Sequence, residues 1–363
     1  AYEDEKEPGK WLEVPITAHD DTGLISAEVS HFSDWQAGWR PEAWALEWRP
    51  PSVSEFTGAA SYSYPIEVPP GRAGLQPSVG LSYSSASLRG AIQKVSYGNV
   101  ATGWSLNDIQ IIRTGITNGA SWWDFPNTFR LSVNGVGGRL LSVGAEDGVP
   151  VYRVEDQPQF KVYNYGSTHL QPNHGQGDSY WIVKDGSGTQ YRLGYTADAY
   201  SYQGADSMDD GSSYDASDII AWHVDTITDA YGNQVTYDYS RYTRSETTAG
   251  QWCPWGDGYI CLWHIDTHNS QVSQIQYNFA ARIQTAITHD VPRLSSNAAS
   301  KIVFNYNDSA NGRYLQSVDV YHGGLSDPMR RYAIDAQMVG ITNSNWTCDT
   351  PNGNQRTTQT RVI

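Results

Sequence analysis

The chain has 363 residues, which is enough for one large β domain or two ordinary ones. It holds 24 tyrosines, 14 tryptophans, 34 glycines and 17 prolines, a composition typical of half-exposed sheet faces separated by frequent turns. A formal net charge of −15 argues against nucleic acid and against anionic membrane surfaces as partners, and no apolar stretch is long enough to span a membrane. The acidic balance is compatible with neutral glycans, with cations, or with a solvated surface alone.

The first forty residues are predicted to be the C-terminal end of a small β-sandwich-like module, residues 1–40. The segment from Leu24 to Trp35 alternates apolar and polar side chains, with Ile25, Ala27 and Val29 on one face. Residues 41–58 are predicted to be a linker rich in Trp and Pro, with a short helix that begins at Pro41. We expect the acidic start of the sequence to be the beginning of a fragment or of a processed chain, since no signal peptide is recognisable in it.

From residue 59 onward the sequence predicts β-strands joined by tight turns. Two strands flank a Pro-Pro-Gly turn, one containing Ile66 and Val68 and the other containing Val79 and Leu81. Three hairpins then follow at intervals of roughly 45 to 50 residues, within the range of repeat architectures. They are Phe129 to Val143 around the loop from Asn134 to Gly138, Tyr180 to Leu193 around Asp185 and Gly188, and Trp222 to Ser240 around Asp229 and Gly232.

In the third hairpin, Asp229 opens the turn and Gly232 occupies the position that needs a positive φ. Val235, Tyr237 and Tyr239 share one face of the return strand. The fold class predicted from these patterns is all-β, with successive antiparallel hairpins laid side by side in a curved or spiralling sheet.

The order of these motifs resembles the opening of RHS/YD-repeat shell proteins, and more closely the SpvB-type N-terminal domain found in toxin-complex B components. The resemblance extends from residue 59 to about residue 335, which assigns residues 59–340 to an SpvB/RHS-like β domain and residues 341–363 to a polar tail. The motifs that carry it are, in chain order, Tyr62-Ser-Tyr-Pro-Ile66, Pro69-Pro-Gly-Arg-Ala-Gly-Leu-Gln-Pro77, Leu81-Ser-Tyr-Ser-Ser85, Gly103-Trp-Ser-Leu106, Ile109-Gln-Ile-Ile-Arg113, Val183 to Tyr191, Asp229 to Tyr239, Ile302 to Tyr306, Arg313 to Tyr321 and Arg330 to Tyr332.

The resemblance implies a sheet that spirals into a hollow shell, and toxin members of the family enclose a cytotoxic C-terminal segment in that shell. It also implies a secreted or cell-surface bacterial location, and partners in the C-terminal remainder of a longer chain or in toxin-complex subunits. The sequence lacks a long array of Tyr-Asp repeats and lacks the Asp-Pro-x-Gly motif of self-cleavage, for which Asp327-Pro-Met-Arg is no match. Neither a complete cocoon nor self-cleavage is therefore predicted.

An aspartate-rich stretch between residues 198 and 218 is the candidate metal site. Its carboxylates could supply some of the roughly 6 to 8 oxygen ligands that calcium takes. The stretch is not an EF-hand, because its third position is Met208 and its twelfth is Ser217, and the alternative is a solvated insertion loop. The candidate calcium ligands are Asp206, Asp209, Asp210 and Asp215.

Loop tryptophans are the candidate glycan site, and two cysteines are a candidate disulfide. Trp122, Trp123, Trp252 and Trp255 could stack on sugar rings, or they could belong to the core, since Trp is highly buried on average. Cys253 and Cys261 bracket a turn-rich loop and could form a disulfide in an exported protein, which would leave the third cysteine unpaired.

Three functions remain open at this point. The first is a non-enzymatic β-shell module with a structural or encapsulating role in a longer polymorphic-toxin or adhesion-type protein. The second is a glycan-binding module. The third is a glycoside-cleaving enzyme with two facing carboxylates, although no residues can be assigned to that chemistry without geometry. Calcium is the one cofactor considered.

Overall fold

The computed structural model describes residues 2–3, 11–12, 16–19, 25–27, 51–54, 58–87, 100–101, 103–114, 128–166, 179–208, 213–249, 262–284, 291–309, 312–335, 337–342 and 357–362. The chain divides into two compact units, Ala1–Pro50 and Pro51–Ile363. The division falls inside the segment predicted to be a linker, whereas the predicted β-sandwich character and the predicted short helix stay untested. None of the described residues forms a helix long and apolar enough to cross a membrane.

The first unit contains two short antiparallel pairs among its described residues. Strand β1 pairs with β2, and β3 pairs with β4 across a register shift. Their bounds are β1 Tyr2–Glu3, β2 Trp11–Leu12, β3 Ile16–His19 and β4 Ile25–Ala27.

The second unit begins with a four-stranded antiparallel sheet, which contains the predicted strands on either side of the Pro-Pro-Gly turn. Its aromatic side chains pack together, because Trp104 lies 6.0 Å from Tyr62 and 5.4 Å from Tyr83 between ring centroids. A 3₁₀ turn at Arg72–Gly74 follows the Pro-Pro-Gly sequence. The strands, in order across the sheet, are β5 Ser52–Val53, β6 Ala60–Ile66, β7 Val79–Ser84 and β8 Trp104–Leu106.

The main sheet is antiparallel and has fourteen strands among the described residues, eight of which form a closed ring. The ring closes because β17 pairs with β9 on one part of its length and with β15 on another. The ring strands are β9 Gln110–Thr114, β10 Thr128–Val133, β11 Val136–Glu146, β12 Val149–Val154, β13 Gln157–Gly166, β14 Ser179–Lys184, β15 Gln190–Leu193 and β17 Ser213–Thr228.

Aromatic side chains fill the interior of this ring. Phe129, Trp181 and Trp222 come from three different strands and are almost fully buried, and their ring centroids lie 4.9 to 5.8 Å apart. Tyr152 joins them from a fourth strand, 5.4 Å from Trp181. An eight-stranded closed sheet is just narrow enough for side chains to fill, so the ring is a packed core.

The remaining strands of the main sheet continue outward from the ring. Strand β17 pairs with β16, which pairs with β19, and the order then runs β20, β21 and β22, while β18 lies between β17 and β19. Two further strands, β23 and β24, pair with each other in a separate two-stranded sheet. Strand β24 lies within residues 341–363, the segment predicted to be a polar tail. The bounds are β16 Tyr200–Met208, β18 Gln234–Ala249, β19 Leu262–Phe279, β20 Ala298–Ser309, β21 Gly312–His322, β22 Arg330–Ala333, β23 Gln337–Thr342 and β24 Thr357–Val362.

Two of the predicted hairpins share one turn architecture. The Oδ1 atom of Asp229 accepts hydrogen bonds from the backbone N–H groups of Tyr231 and Asn233, each at 2.9 Å. Asp185 does the same for the residues two and four positions after it, at 2.8 and 3.0 Å. Gly232 has a φ of 80°, as predicted from the sequence, and Gly188 has a φ of 87°.

The turn of the first hairpin is shorter than its glycine-rich sequence predicts. The sequence indicates a loop over residues 134–138, but β11 begins at Val136 and the turn is the two residues Asn134-Gly135 alone. Both have a positive φ, 50° and 83°, which is the geometry of a type I′ hairpin turn. The two following glycines are therefore strand residues, and Gly138 is buried where a Cβ would approach the Glu155 carbonyl oxygen to 2.5 Å.

The predicted all-β class and the antiparallel hairpins are confirmed. Val235, Tyr237 and Tyr239 are buried as one face of β18. The opposite, polar face is buried as well, since Gln234 is 2% exposed and Thr236 is 0% exposed. The amide of Gln234 bonds to Thr228 and to the carbonyl oxygen of Pro292, so the segment from residue 291 covers this face.

Candidate functional site

Most residues predicted to form a site lie outside the described part of the chain. This applies to all four candidate glycan-stacking tryptophans, Trp122, Trp123, Trp252 and Trp255, to Cys253 and Cys261, and to Asp209 and Asp210. Asp206 and Asp215 lie in the β16–β17 hairpin, where Ala205 pairs with Ala216, but their side chains are not described. The glycan, calcium and disulfide hypotheses therefore stay predictions. Among the described residues, no group of three His, Cys, Asp or Glu side chains could hold a metal ion.

A hydrogen-bonded relay lies where the ring meets the outer strands. His223 of β17 contacts Asp108 through Nδ1, at 2.8 Å, and Ser201 of β16 through Nε2, at 2.9 Å. The Ser201 hydroxyl oxygen also accepts the backbone N–H of Ser270 in β19 at 2.9 Å. The relay thus joins the segment before β9 to β17, β16 and β19.

The Ser-His-Asp order of this relay is that of a hydrolase triad, yet the arrangement does not favour hydrolysis. Ser201 is 4% exposed, whereas the side chain of Asp108 at the other end is 32% exposed. A nucleophile must reach its substrate, and here the solvent-facing member is the carboxylate. The cavity beside Asp108, lined also by Asn107, Tyr237 and Tyr239, has a volume of about 20 Å³, which is room for about one water molecule.

A buried ion pair lies at the seam where β15 closes the ring against β17. Arg192 donates from Nε to Oδ1 of Asp225 at 2.7 Å, and Asp225 is 0% exposed. The register places Arg192 opposite Thr226 and Leu193 opposite Val224, so Asp225 is the extra residue of a β-bulge. The bulge points this carboxylate at the arginine on the neighbouring strand.

The polar atoms of this pair are extensively hydrogen-bonded. Arg192 also donates to the carbonyl oxygen of Val291 at 2.9 Å and to the Thr226 hydroxyl at 3.1 Å, and Asp225 accepts the backbone N–H of Tyr195 at 3.0 Å. Burial raises the pKa of Asp225, and the charge of Arg192 and the hydrogen bonds offset part of that effect. The pair thus connects β15 to β17 and, through the carbonyl oxygen of Val291, to the segment that begins there.

A strap at the Pro-Pro-Gly turn ties the four-stranded sheet to the main sheet. The Tyr277 hydroxyl donates to the carbonyl oxygen of Pro69 at 2.8 Å, and the Asn278 side chain bonds both the carbonyl oxygen of Pro70 and the backbone N–H of Arg72, at 3.0 and 2.8 Å. Further along, the Tyr332 hydroxyl of β22 accepts the backbone N–H of Glu67 at 3.0 Å. The motif that carried the resemblance is thus a docking element of the fold.

The three tryptophans whose side chains the structure describes, Trp104, Trp181 and Trp222, form no stacking platform for sugars. Trp181 and Trp222 are fully buried in the ring, and Trp104 is half-buried among tyrosines. The sequence did not predict the relay or the seam pair, although each includes a residue of the segment from Trp222 to Asp225. A histidine and an aspartate within a run of buried strand residues are a signal that polar partners must exist elsewhere in the chain.

One protein-family model matches most of the chain. The family model of SpvB, described as the Salmonella virulence plasmid 65kDa B protein, matches residues 54–319, well over half of the chain. A search of the curated proteins found no match.

Three of the solved structures that match cover 78 to 80% of this chain. The N-terminal domain of effector protein SpvB from Salmonella typhimurium strain LT2 is 15% identical, with a TM-score of 0.47, over 78% of this chain and 94% of that chain. The TcdB2-TccC3 structure is 14% identical, with a TM-score of 0.46, over 80% of this chain. A Photorhabdus luminescens Tc holotoxin pore is 13% identical, with a TM-score of 0.44, over 79% of this chain. The chain spans only 15% and 14% of the latter two chains.

Proposed function

This chain belongs to the SpvB family, the family of the Salmonella virulence plasmid 65kDa B protein, and on that premise we propose that it is a structural module of a secreted bacterial toxin-type protein. Its role is to form part of a β-shell that encloses or supports a segment of a longer chain or an associated toxin subunit. The observation that carries the proposal is the open antiparallel sheet of further strands that continues outward from the packed ring.

Two features of the described residues support this role. The ring seam is joined by a hydrogen-bonded buried ion pair, which gives a rigid wall, as an enclosing structure requires. Within the described part of the chain, β22 pairs on one side only, with β21, so its other edge can accept a further strand. We infer that the module itself is not a catalyst, because the one Ser-His-Asp arrangement described buries its serine.

Protection of the downstream segment tests the enclosing role. The longer protein that carries this chain is digested with a protease under native conditions, and the release of fragments from the segment that follows is timed. We expect the segment to survive far longer than the same segment produced alone. Arg192→Met removes one member of the seam pair and should shorten the protection, whereas Arg282→Met, at an exposed arginine that is not part of the pair, should not. Cleavage of the segment at the same rate with and without the shell would refute enclosure.

A glycan-array screen, with and without calcium, separates the alternatives. Saturable binding with a shift in tryptophan fluorescence would replace the purely structural role by a binding role. Dependence on calcium would point to the four candidate ligands, Asp206, Asp209, Asp210 and Asp215. Turnover of aryl-ester or aryl-glycoside substrates above that of Ser201→Ala or a buffer blank would make the module an enzyme. The structural role predicts neither result.

A further inference from the structure

Five cations lie next to one another on the outer face of the ring. Arg130 of β10 is directly opposite Arg139 of β11, Arg153 of β12 is opposite Lys161 of β13, and Lys161 is opposite Lys184 of β14. Because paired residues share a face of the sheet, and the alternate positions Leu131 and Val162 face the core, all five side chains point outward. We call Arg130, Arg139, Arg153, Lys161 and Lys184 the basic face.

Folding alone gives no reason for this arrangement. Like charges directly opposite on neighbouring antiparallel strands are destabilising, and the basic face contains three such pairs. The chain has 39 acidic residues against 24 basic ones, so abundant carboxylates could have been placed between these cations. Concentrating cations here, against the overall balance, indicates a surface that serves an interaction.

Only part of the positive charge is neutralised within the chain. Lys161 donates to both carboxylate oxygens of Glu146, at 2.5 and 2.7 Å, which lowers the pKa of Glu146. Arg139 lies 3.8 Å from Glu155, with both side chains about half exposed. In the described part of the chain, the exposed residues Arg130, Arg153 and Lys184 form no ion pair, although the charge of Arg153 also contributes to the lowered pKa of Glu146.

Apolar side chains border the basic face. Leu141 is directly opposite Arg153 in the β11–β12 pair and is 38% exposed, and Val143 beside it is 57% exposed. The Nζ atoms of Lys161 and Lys184 lie 5.2 and 5.5 Å from the centre of the Tyr163 ring, which holds both lysines over one aromatic side chain. A partner would therefore meet cations and an exposed apolar edge together.

We propose that the basic face docks an acidic, extended segment of a partner polypeptide. Neighbouring strands lie about 4.8 Å apart, so the row from Arg153 to Lys184 covers roughly 10 Å, a distance that carboxylates on alternate residues of an extended chain can follow. The exposed Leu141 and Val143 suit an apolar side chain of such a segment, which neither a phosphate nor a sulfate would supply.

The remainder of the molecule disfavours long polyanions at this face. The net charge of −15 repels a nucleic acid or an anionic membrane beyond the immediate neighbourhood of the cations. A short acidic segment interacts only locally, within about one Debye length of roughly 8 Å at physiological salt. Docking of an acidic segment at the basic face does not depend on whether the module encloses a toxin segment, so it is a second role in addition to the structural one.

Fluorescence anisotropy of a labelled short peptide of glutamates with one central leucine tests the proposal on the whole chain. We expect saturable binding that weakens as salt is raised, and no binding of the same peptide with lysines in place of glutamates. The double variant Arg153→Glu with Lys184→Glu should weaken binding by roughly 5-fold to 25-fold, since it removes two exposed ion pairs and each contributes up to roughly a fivefold effect. Arg282→Glu changes an exposed arginine away from the basic face and is the matched control.

The thermal midpoint of the same variants separates an interaction surface from a purely structural one. Arg153→Glu with Lys184→Glu places carboxylates on both sides of Lys161, so the double variant should melt above the parent while it loses the peptide. A lower Tm together with unchanged peptide affinity would overturn the proposal. So would an absence of salt-sensitive binding, or tighter salt-sensitive binding of heparin or of phosphatidylserine vesicles than of the peptide.

Discussion

At the scale of single residues, the seam pair is the most sensitive point of the ring. Arg192→Met removes one partner and leaves the carboxylate of Asp225, which is 0% exposed, without its counter-charge. Breaking a buried pair from one side typically costs about 3 to 5 kcal/mol. We therefore expect a large fall in the urea midpoint of unfolding, with Arg282→Met unchanged. A midpoint within error of the parent would show that the pair does not hold the seam.

Gly188 and Gly232, the glycines of the two turns that begin with aspartate, allow a comparison between single-residue substitutions. Both have a positive φ. A Cβ at Gly232 would lie 1.9 Å from the carbonyl oxygen of Ile283, whereas a Cβ at Gly188 would lie 3.5 Å from the Cβ of Ala230. Gly188→Ala should cost about 1 to 2 kcal/mol for the left-handed backbone alone. Gly232→Ala should cost clearly more, because backbone must also move. Equal losses in chemical denaturation would mean that the contact at Ile283 relaxes freely.

At the scale of elements, the strap depends on Asn278. Asn278→Gly keeps a residue that tolerates the φ of 58° but removes three side-chain hydrogen bonds, those to Pro70, Arg72 and Ser300. Three hydrogen bonds at about 1 kcal/mol each suggest a loss of roughly 3 kcal/mol, and the Arg72 amide should exchange its hydrogen faster. Asn297→Gly is the control, because Asn297 has a φ of 59° and a glycine there keeps its backbone hydrogen bond with Ala280. Unchanged exchange at Arg72 would show that other contacts hold the strap.

Elements were predictable where their cause is local. An aspartate whose side chain bonds the next backbone N–H groups, followed by a glycine with positive φ, specifies a turn within five residues, so the hairpins at Asp185 and Asp229 could be found from the sequence. The turn at Asn134-Gly135 was predicted at the correct position, but the predicted loop was three residues too long. Gly137 and Gly138 have no side chains, so the apolar alternation that identifies a strand is absent there. Local chemistry therefore predicts the hairpins better than their ends.

At the scale of the molecule, closure of the ring and assembly of the relay were beyond sequence reasoning. His223 meets Asp108 across 115 positions, and Ile111 pairs with Trp222. A two-residue period predicts that a strand has a buried face and does not predict which distant strand it faces. The basic face was missed for the same reason, because its five cations lie on five strands and converge only through the register.

The stability of the whole fold also depends on the ionisation of its buried tyrosines. Burial raises the pKa of Tyr191 from its ordinary 10.0 to about 12, with the nearby charge of Asp185 adding to the effect. Burial likewise raises the pKa of Tyr237, Tyr239, Tyr277 and Tyr306. A phenol whose pKa is higher in the folded than in the unfolded chain stabilises the fold fully below pH 10 and loses that contribution as the pH rises through the folded value.

These tyrosines lie on β15, β18, β19 and β20, so their ionisation affects the ring seam and the outer sheet together. We expect the free energy of unfolding to be flat with respect to tyrosine ionisation up to about pH 10 and to fall steeply between about pH 10 and pH 12. Phenolate absorbance should then appear in two phases, exposed tyrosines first and the buried set only with the loss of β-sheet circular dichroism. Tyr231→Phe, at a tyrosine that is 68% exposed, should reduce the first phase alone. Ionisation of all tyrosines in one phase before the sheet signal changes would mean that the sheet admits water around them at high pH without unfolding.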